Sequence, residues 1–140
     1  MVNQLIIFTD GGSRNNPGPA AIGVVIGDKE YAEYLGETTN NVAEYQAVIF
    51  ALKKVRHLLG KEKLKNTEIV INLDSELVAN QLNGKYKILE PDLQPLFIKV
   101  WNLKFDFPNL NFHYIPREKN KRADKLVNEI LDNENQKPLL

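Results

Sequence analysis

Cysteine is absent from the 140 residues, which excludes a disulfide scaffold, a thiol nucleophile, a redox dithiol and any cysteine-ligated zinc or iron–sulfur site. Histidine is nearly absent: His57 and His113 are the only two, far apart in sequence. A metal site in this chain must therefore be built from oxygen. The only serines are Ser13 and Ser75, neither in a G-x-S-x-G setting, and the chain holds no G-x-x-x-x-G-K-[ST] and no G-x-G-x-x-G. Serine hydrolase, P-loop and dinucleotide-binding readings fall together. Long apolar runs are missing too. The longest, Ala20 to Gly27, is far short of the ~20 residues of a membrane span. The expectation is a soluble, cytoplasmic protein with no membrane partner. Net charge of one sign is also lacking, since 18 Lys and Arg balance 18 Asp and Glu.

What is present reads as one domain. Gln4 to Asp10 (QLIIFTD) is apolar on both alternating faces, as a central, doubly covered strand requires. Gly11 to Pro19, rich in Gly, Asn and Pro, predicts a loop. Ala20 to Ile26 and Lys29 to Leu35 predict a hairpin around Gly27-Asp28. Apolar residues at helical spacing from Val42 to Leu59, after the capping candidates Thr39, Asn40 and Asn41, predict a long helix stopped by Gly60. Glu68 to Leu73 predicts a strand, Glu76 to Leu82 a short helix, and Leu93 to Phe105 another helix. Leu110 to Ile115 predicts the fifth strand, Pro116 to Lys121 a basic loop and Arg122 to Leu131 the last helix. Three strands in a meander followed by strand–helix crossovers predict an α/β fold, a mixed five-stranded sheet with helices on its faces. The domain is expected to span residues 1–132, with 133–140 a flexible tail.

Four acids sit where solvated surface acids do not belong. Asp10 ends a central strand on the face of Ile6 and Phe8, where open α/β sheets place their ligands. Glu44 shares a helical stripe with Val48, Ala51 and Val55. Asp74 closes the next central strand, and Asp124 precedes Val127 and Leu131 at three and seven residues. Each alone has an ordinary reading: a turn cap for Asp10 and Asp74, a capping-box acid three residues after Asn41 for Glu44, a first-turn dipole acid for Asp124. Gathered together they would repel one another and raise their pKa values. A pair of Mg²⁺ ions, +4 against −4, removes that cost, and all-oxygen coordination is what magnesium prefers. Two such ions ~4 Å apart suit hydrolysis of a phosphodiester. With these four acids set aside, 18 basic residues face 14 acidic ones, which suits a polyanionic substrate. Lys119, Lys121 and Arg122 adjoin Asp124 and are the leading candidates for phosphate contacts.

Four co-linear motifs carry a resemblance: T-D-G-G-S-R-N-N-P-G-P-A-A-I-G (9–23), T-N-N-V-A-E-Y-Q-A (39–47), N-L-D-S (72–75) and P-R-E-K-N-K-R-A-D (116–124). In order, spacing and placement they resemble ribonuclease H type 1, over the chain to about Leu131. The resemblance implies the ribonuclease H-like fold and endonucleolytic hydrolysis of the RNA strand of an RNA–DNA hybrid; a monomer is expected. It implies two Mg²⁺ ions, with Mn²⁺ as substitute, and 5′-phosphate and 3′-hydroxyl products. By position, Asp10 would bridge both ions, Glu44 and Asp74 would hold one and Asp124 the other. Substrate contacts would fall to Gly11, Gly12, Ser13, Asn15, Asn16, Thr39, Asn40, Asn41, Ser75, Arg117, Lys119, Asn120, Lys121 and Arg122. Asn40 and Asn41 would read the 2′-hydroxyl side of the minor groove, the group that separates RNA from DNA.

The chain departs from the larger members in two ways. Gly84 to Asp92 is too short for their basic helical protrusion, and the loop before the last helix lacks the histidine that many carry. It resembles the compact bacterial and archaeal type. Alternatives left open are a nuclease of the same fold that also cuts double-stranded RNA, and a non-catalytic nucleic-acid-binding domain.

Overall fold

The computed structural model describes residues 3–135. Five strands form one sheet in the order β3-β2-β1-β4-β5. β1 (Asn3–Ser13), β2 (Gly18–Ile26) and β3 (Lys29–Thr38) are the antiparallel meander, and β4 (Thr67–Leu73) and β5 (Leu110–Tyr114) run parallel to β1. The mixed five-stranded architecture is as the sequence predicts. One boundary differs in a way that matters. β1 does not end at Asp10; Gly11, Gly12 and Ser13 stay in register with Ile22, Ala21 and Ala20 of β2. Glycine weakens a strand but keeps its backbone donor and acceptor, so the ladder carries on through it. Asp10 consequently projects from paired, rigid backbone rather than from a loop.

α1 (Asn40–Lys65) and α3 (Gln94–Lys104) lie against each other, with α1 packed on β1 and β2. The main core forms there, from Ile7, Val24, Tyr45, Leu52, Ile69, Ile71 and their neighbours. The expected stop at Gly60 is half right. Gly60 takes φ 74° and ψ 166°, breaking the helical path, but residues 61–65 resume it. α2 (Glu76–Leu82) packs beside β5 and is joined to α1 by the Tyr45 hydroxyl, which donates to Gln81 Oε1 at 2.7 Å. α4 (Lys121–Asn135) lies over β1, β2 and β3 on a thinner layer of Ala21, Val127, Leu131 and Ile130. It runs on through residues 133–135, which the sequence reading gave to a tail; residues 136–140 lie outside the described residues.

Two glycines let the helices come this close. A Cβ on Gly11 would stand 2.3 Å from the carbonyl carbon of Ala43, inside the first turns of α1. One on Gly23, the cross-strand partner of Asp10, would stand 2.3 Å from the Ala123 carbonyl oxygen of α4. The residues that follow these contact points are Glu44 and Asp124. Close backbone packing on the sheet thus delivers two acids to the strand that carries Asp10.

Gly23→Ala should therefore push α4 outward, a small-to-large change costing about 1–3 kcal/mol. Urea unfolding should give that loss, with activity falling further than stability because Asp124 moves. An unchanged midpoint would mean that α4 is not seated on Gly23.

Candidate active site

Asp10, Glu44 and Asp74 each offer a carboxylate oxygen, and the three oxygens lie within 4.8 Å of one another. Asp10, within β1, and Asp74, just after β4, stand side by side one step beyond the last pair of the β1–β4 ladder, Thr9 with Leu73. Glu44 comes down from α1. The capping-box reading of Glu44 fails, because the N-cap is Thr39, whose Oγ1 accepts from the Val42 N–H at 3.2 Å. Asp124 stands outside this trio but lines the same cleft and acts on Asp10 through both its charge and a hydrogen bond. All four acids therefore converge.

Asp10 and Glu44 are each only 6% exposed. Burial, then the charges of Asp74 and Asp124, lifts Asp10 from an ordinary 3.8 to about 7, although its hydrogen bond with Glu44 pulls the other way. Glu44 is raised as well, by burial first and then by Asp10 and Asp74, with the Gly11 backbone N–H opposing. Glu44 Oε2 is buried with no hydrogen-bond partner. A buried, unpartnered carboxylate oxygen facing two further carboxylates is costly to a protein by itself. It fits a hard divalent cation, and an all-oxygen donor set with no nitrogen or sulfur suits magnesium or manganese better than zinc or copper.

Asn120 was expected to touch substrate, and its position forbids that. It is 1% exposed. Its Nδ2 donates to the Thr9 carbonyl and to Asp74 Oδ2, both at 2.9 Å, and its backbone carbonyl accepts from the Asp124 N–H at 3.1 Å. The side chain thereby ties β1 to Asp74, the backbone carbonyl of the same residue holds the first turn of α4, and Asn120 stands as a positioning residue.

The other expected contacts divide. Gly11, Gly12, Ser13, Asn40, Asn41, Ser75 and Arg117 line the cleft. Within it, Asn40 Oδ1 accepts from both the N–H and the hydroxyl of Ser13, at 2.8 and 3.1 Å. Ser75 also caps α2 through the Val78 N–H. Asn15, Asn16 and Thr39 do not line the cleft. Thr39 caps α1, Asn16 accepts from the Asn40 N–H at 3.0 Å, and Asn15 takes a left-handed φ of 63°. They shape the loop that presents Asn40. Lys119 and Lys121 are exposed outside the lining, while Arg122 is held by Glu30 at 2.8 Å. His57 and His113 are exposed and outside it as well.

A family model described as reverse transcriptase-like matches residues 8–130. Ribonuclease HI of Halobacterium salinarum is 39% identical over 131 residues, covering 89% of this chain and 63% of its own length. LC11-RNase H1, isolated from compost, is 50% identical and superposes with a TM-score of 0.88, over 94% of this chain and 98% of that one. The chain belongs to the ribonuclease H family, type 1. A bifunctional protein of Mycobacterium tuberculosis is 37% identical over 136 residues, and there the chain spans only 36% of the relative's length.

As a ribonuclease H this chain is compact: residues 83–93, between α2 and α3, contain no helix. Sequence reasoning missed Arg14, which lines the cleft beside Asn128 and is fixed by Asp132 at 2.7 Å. Its only signal was a place within the first motif. Gly23 was missed too, because a lone glycine in an apolar strand gives no hint of which helix will cross it.

Two outcomes follow from this geometry. Between pH ~4 and ~7 the folded chain keeps a proton on Asp10 that the unfolded chain has released, so without metal the fold loses stability as pH rises through that window. Denaturation in chelator at several pH values should show this slope in the wild type and a flatter one in Asp10→Asn. Equal slopes would mean that Asp10 is not destabilised by its neighbours. Asn120→Ala should cut kcat at least tenfold with KM nearly unchanged, and lower stability by about 1–3 kcal/mol through the unsatisfied groups it leaves. Wild-type kcat would show that Asp74 needs no such anchor.

Proposed function

We propose that the chain is a metal-dependent endoribonuclease that hydrolyses the RNA strand of RNA–DNA hybrids in the cytoplasm, leaving 5′-phosphate and 3′-hydroxyl ends. The observation that carries this is the convergence of Asp10, Glu44, Asp74 and Asp124 on one open cleft, with a buried Glu44 oxygen lacking any partner. Asp10 would contribute to both of two Mg²⁺ sites, Glu44 and Asp74 to one and Asp124 to the other, with Mn²⁺ an effective substitute. When bound, the ions supply an activated water and stabilise the leaving 3′-oxygen of the scissile phosphodiester.

The protein's own residues hold that chemistry in place. Asn120 fixes the Asp74 carboxylate through its side-chain amide and the start of α4 through its backbone carbonyl. The ladder through Gly11–Ser13 keeps Asp10 on rigid backbone. Asn40 and Asn41 stand at the start of α1, on the cleft rim, where they can read the RNA 2′-hydroxyl. Arg14 and Arg117 put positive charge around the acids for substrate phosphates. Support for the substrate comes from a relative: LC11-RNase H1 has been solved in complex with an RNA/DNA hybrid, at 50% identity and a TM-score of 0.86.

Labelled hybrid, double-stranded RNA and duplex DNA should be separated by the enzyme in Mg²⁺, with the hybrid cut and the DNA untouched. Asp10→Asn should lower turnover on hybrid by at least a thousandfold while the chain stays folded. Cleavage by Asp10→Asn near the wild-type rate would remove the metal assignment. A preference for double-stranded RNA over hybrid would remove the substrate assignment.

A further inference from the structure

α3 is apolar on two faces. Leu96, Val100 and Leu103 face the core, as an amphipathic helix requires. On the opposite side Ile98, Trp101 and Phe105, at helical spacing, are 55%, 50% and 75% exposed. Single exposed apolar residues need no explanation, but a stripe that includes the chain's one tryptophan does.

The stripe is set among cations. Lys104 Nζ lies 5.7 Å from the Trp101 ring centroid and 6.0 Å from that of Phe112. Trp101 and Phe105 meet edge to face at 5.8 Å. Beyond Phe105 a groove is lined by Arg56, Lys61 and Lys65 together with Asp106. Asp106 is paired with Arg56 at 2.7 Å, and Glu62 stands 3.5 Å from Lys65. In the other direction a second groove runs from Trp101 and Lys104 to Asn83 and Gly84, just after α2. The seven residues of α2 span about 10 Å at 1.5 Å per residue, and Ser75 at its head lines the acid cleft. A continuous track of rings and cations therefore begins about one short helix from that cleft.

We propose that this track binds single-stranded nucleic acid, the unpaired extension of a hybrid whose paired part occupies the cleft. The inference rests on the nuclease reading above. Flat exposed rings interleaved with lysines are what a single strand needs: bases stack on the rings regardless of sequence, and cations follow the phosphates. An acidic peptide would use the lysines but not two stackable rings. A second copy of this chain is disfavoured because a two-fold contact on this stripe would bring like cations of both copies together.

The single tryptophan supplies a direct signal. In Asp10→Asn protein, a hybrid with a ten-nucleotide single-stranded DNA overhang should quench Trp101 fluorescence, and the same hybrid with blunt ends should not. By anisotropy, the overhang should tighten binding at least fivefold. That gain should vanish in a Trp101→Ala, Phe105→Ala variant, survive in large part in Trp101→Phe, and shrink with salt more steeply than in a Lys61→Ala, Lys65→Ala variant. Blunt-hybrid cleavage should stay at wild-type level when the two aromatic residues are replaced in the active enzyme. Equal affinity for overhung and blunt hybrids would overturn the proposal while blunt cleavage still upheld the nuclease reading. Quenching by an oligoglutamate peptide but not by an oligodeoxythymidylate, or a concentration-dependent dimer abolished by the aromatic replacements, would overturn it in favour of a protein partner.

Discussion

Mutual repulsion among buried carboxylates is the constraint around which this molecule is arranged. Asp10 and Glu44 are nearly inaccessible to water and lie beside Asp74, with Asp124 close by. No lysine or arginine forms an ion pair with any of them among the described residues. Such a cluster would disperse unless rigid elements held it, and held without a cation it keeps a proton, as the raised Asp10 shows. The rigidity comes from two backbone contacts, Gly11 under α1 and Gly23 under α4, and from Asn120, whose amide joins β1 to Asp74 and whose backbone carbonyl holds the start of α4. Each of these contacts costs the fold some freedom of sequence. Together they turn a destabilising concentration of charge into a site whose affinity is reserved for a cation.

Much of this was legible in the residues. Apolar runs on both faces of residues 4–10 and 68–73 mark central strands, and an acid at the end of each is an anomaly visible without coordinates. Glu44 and Asp124 betray themselves by sharing stripes with core residues. What could not be read was partner choice across the fold. Asn120 looks like a polar residue in a basic loop, and only the packing of that loop under β1 and β4 removes it from solvent. The same packing sets Lys119 and Lys121 outside the cleft and lets Glu30 hold Arg122, while Arg14, four residues after Asp10, arrives at the rim. Gly11 and Gly12 read as loop because turn composition and strand extension both use glycine. The ladder decides between them through long-range register, which composition does not encode.

The helix α3 illustrates the opposite case. Its apolar content exceeds what one buried face needs, and helical spacing assigns the surplus to a single outward stripe. Propensity and core packing account for Leu96, Val100 and Leu103 but leave Trp101 and Phe105 unexplained. A compact chain without a helical protrusion between α2 and α3 has less surface with which to hold a substrate beyond the cleft, and a stacking track on α3 would restore some of it.

The most direct test of the central claim is anomalous scattering from crystals of the protein with bound hybrid, grown with Mn²⁺ and inactivated by Asp10→Asn or supplied with a non-hydrolysable substrate. With the wild-type acids and the inert substrate, manganese peaks should lie between Asp10, Glu44 and Asp74 and between Asp10 and Asp124, and Asp10→Asn should weaken both. Absence of any peak within coordination distance of Asp10 and Glu44, in crystals where hybrid fills the cleft, would contradict the account.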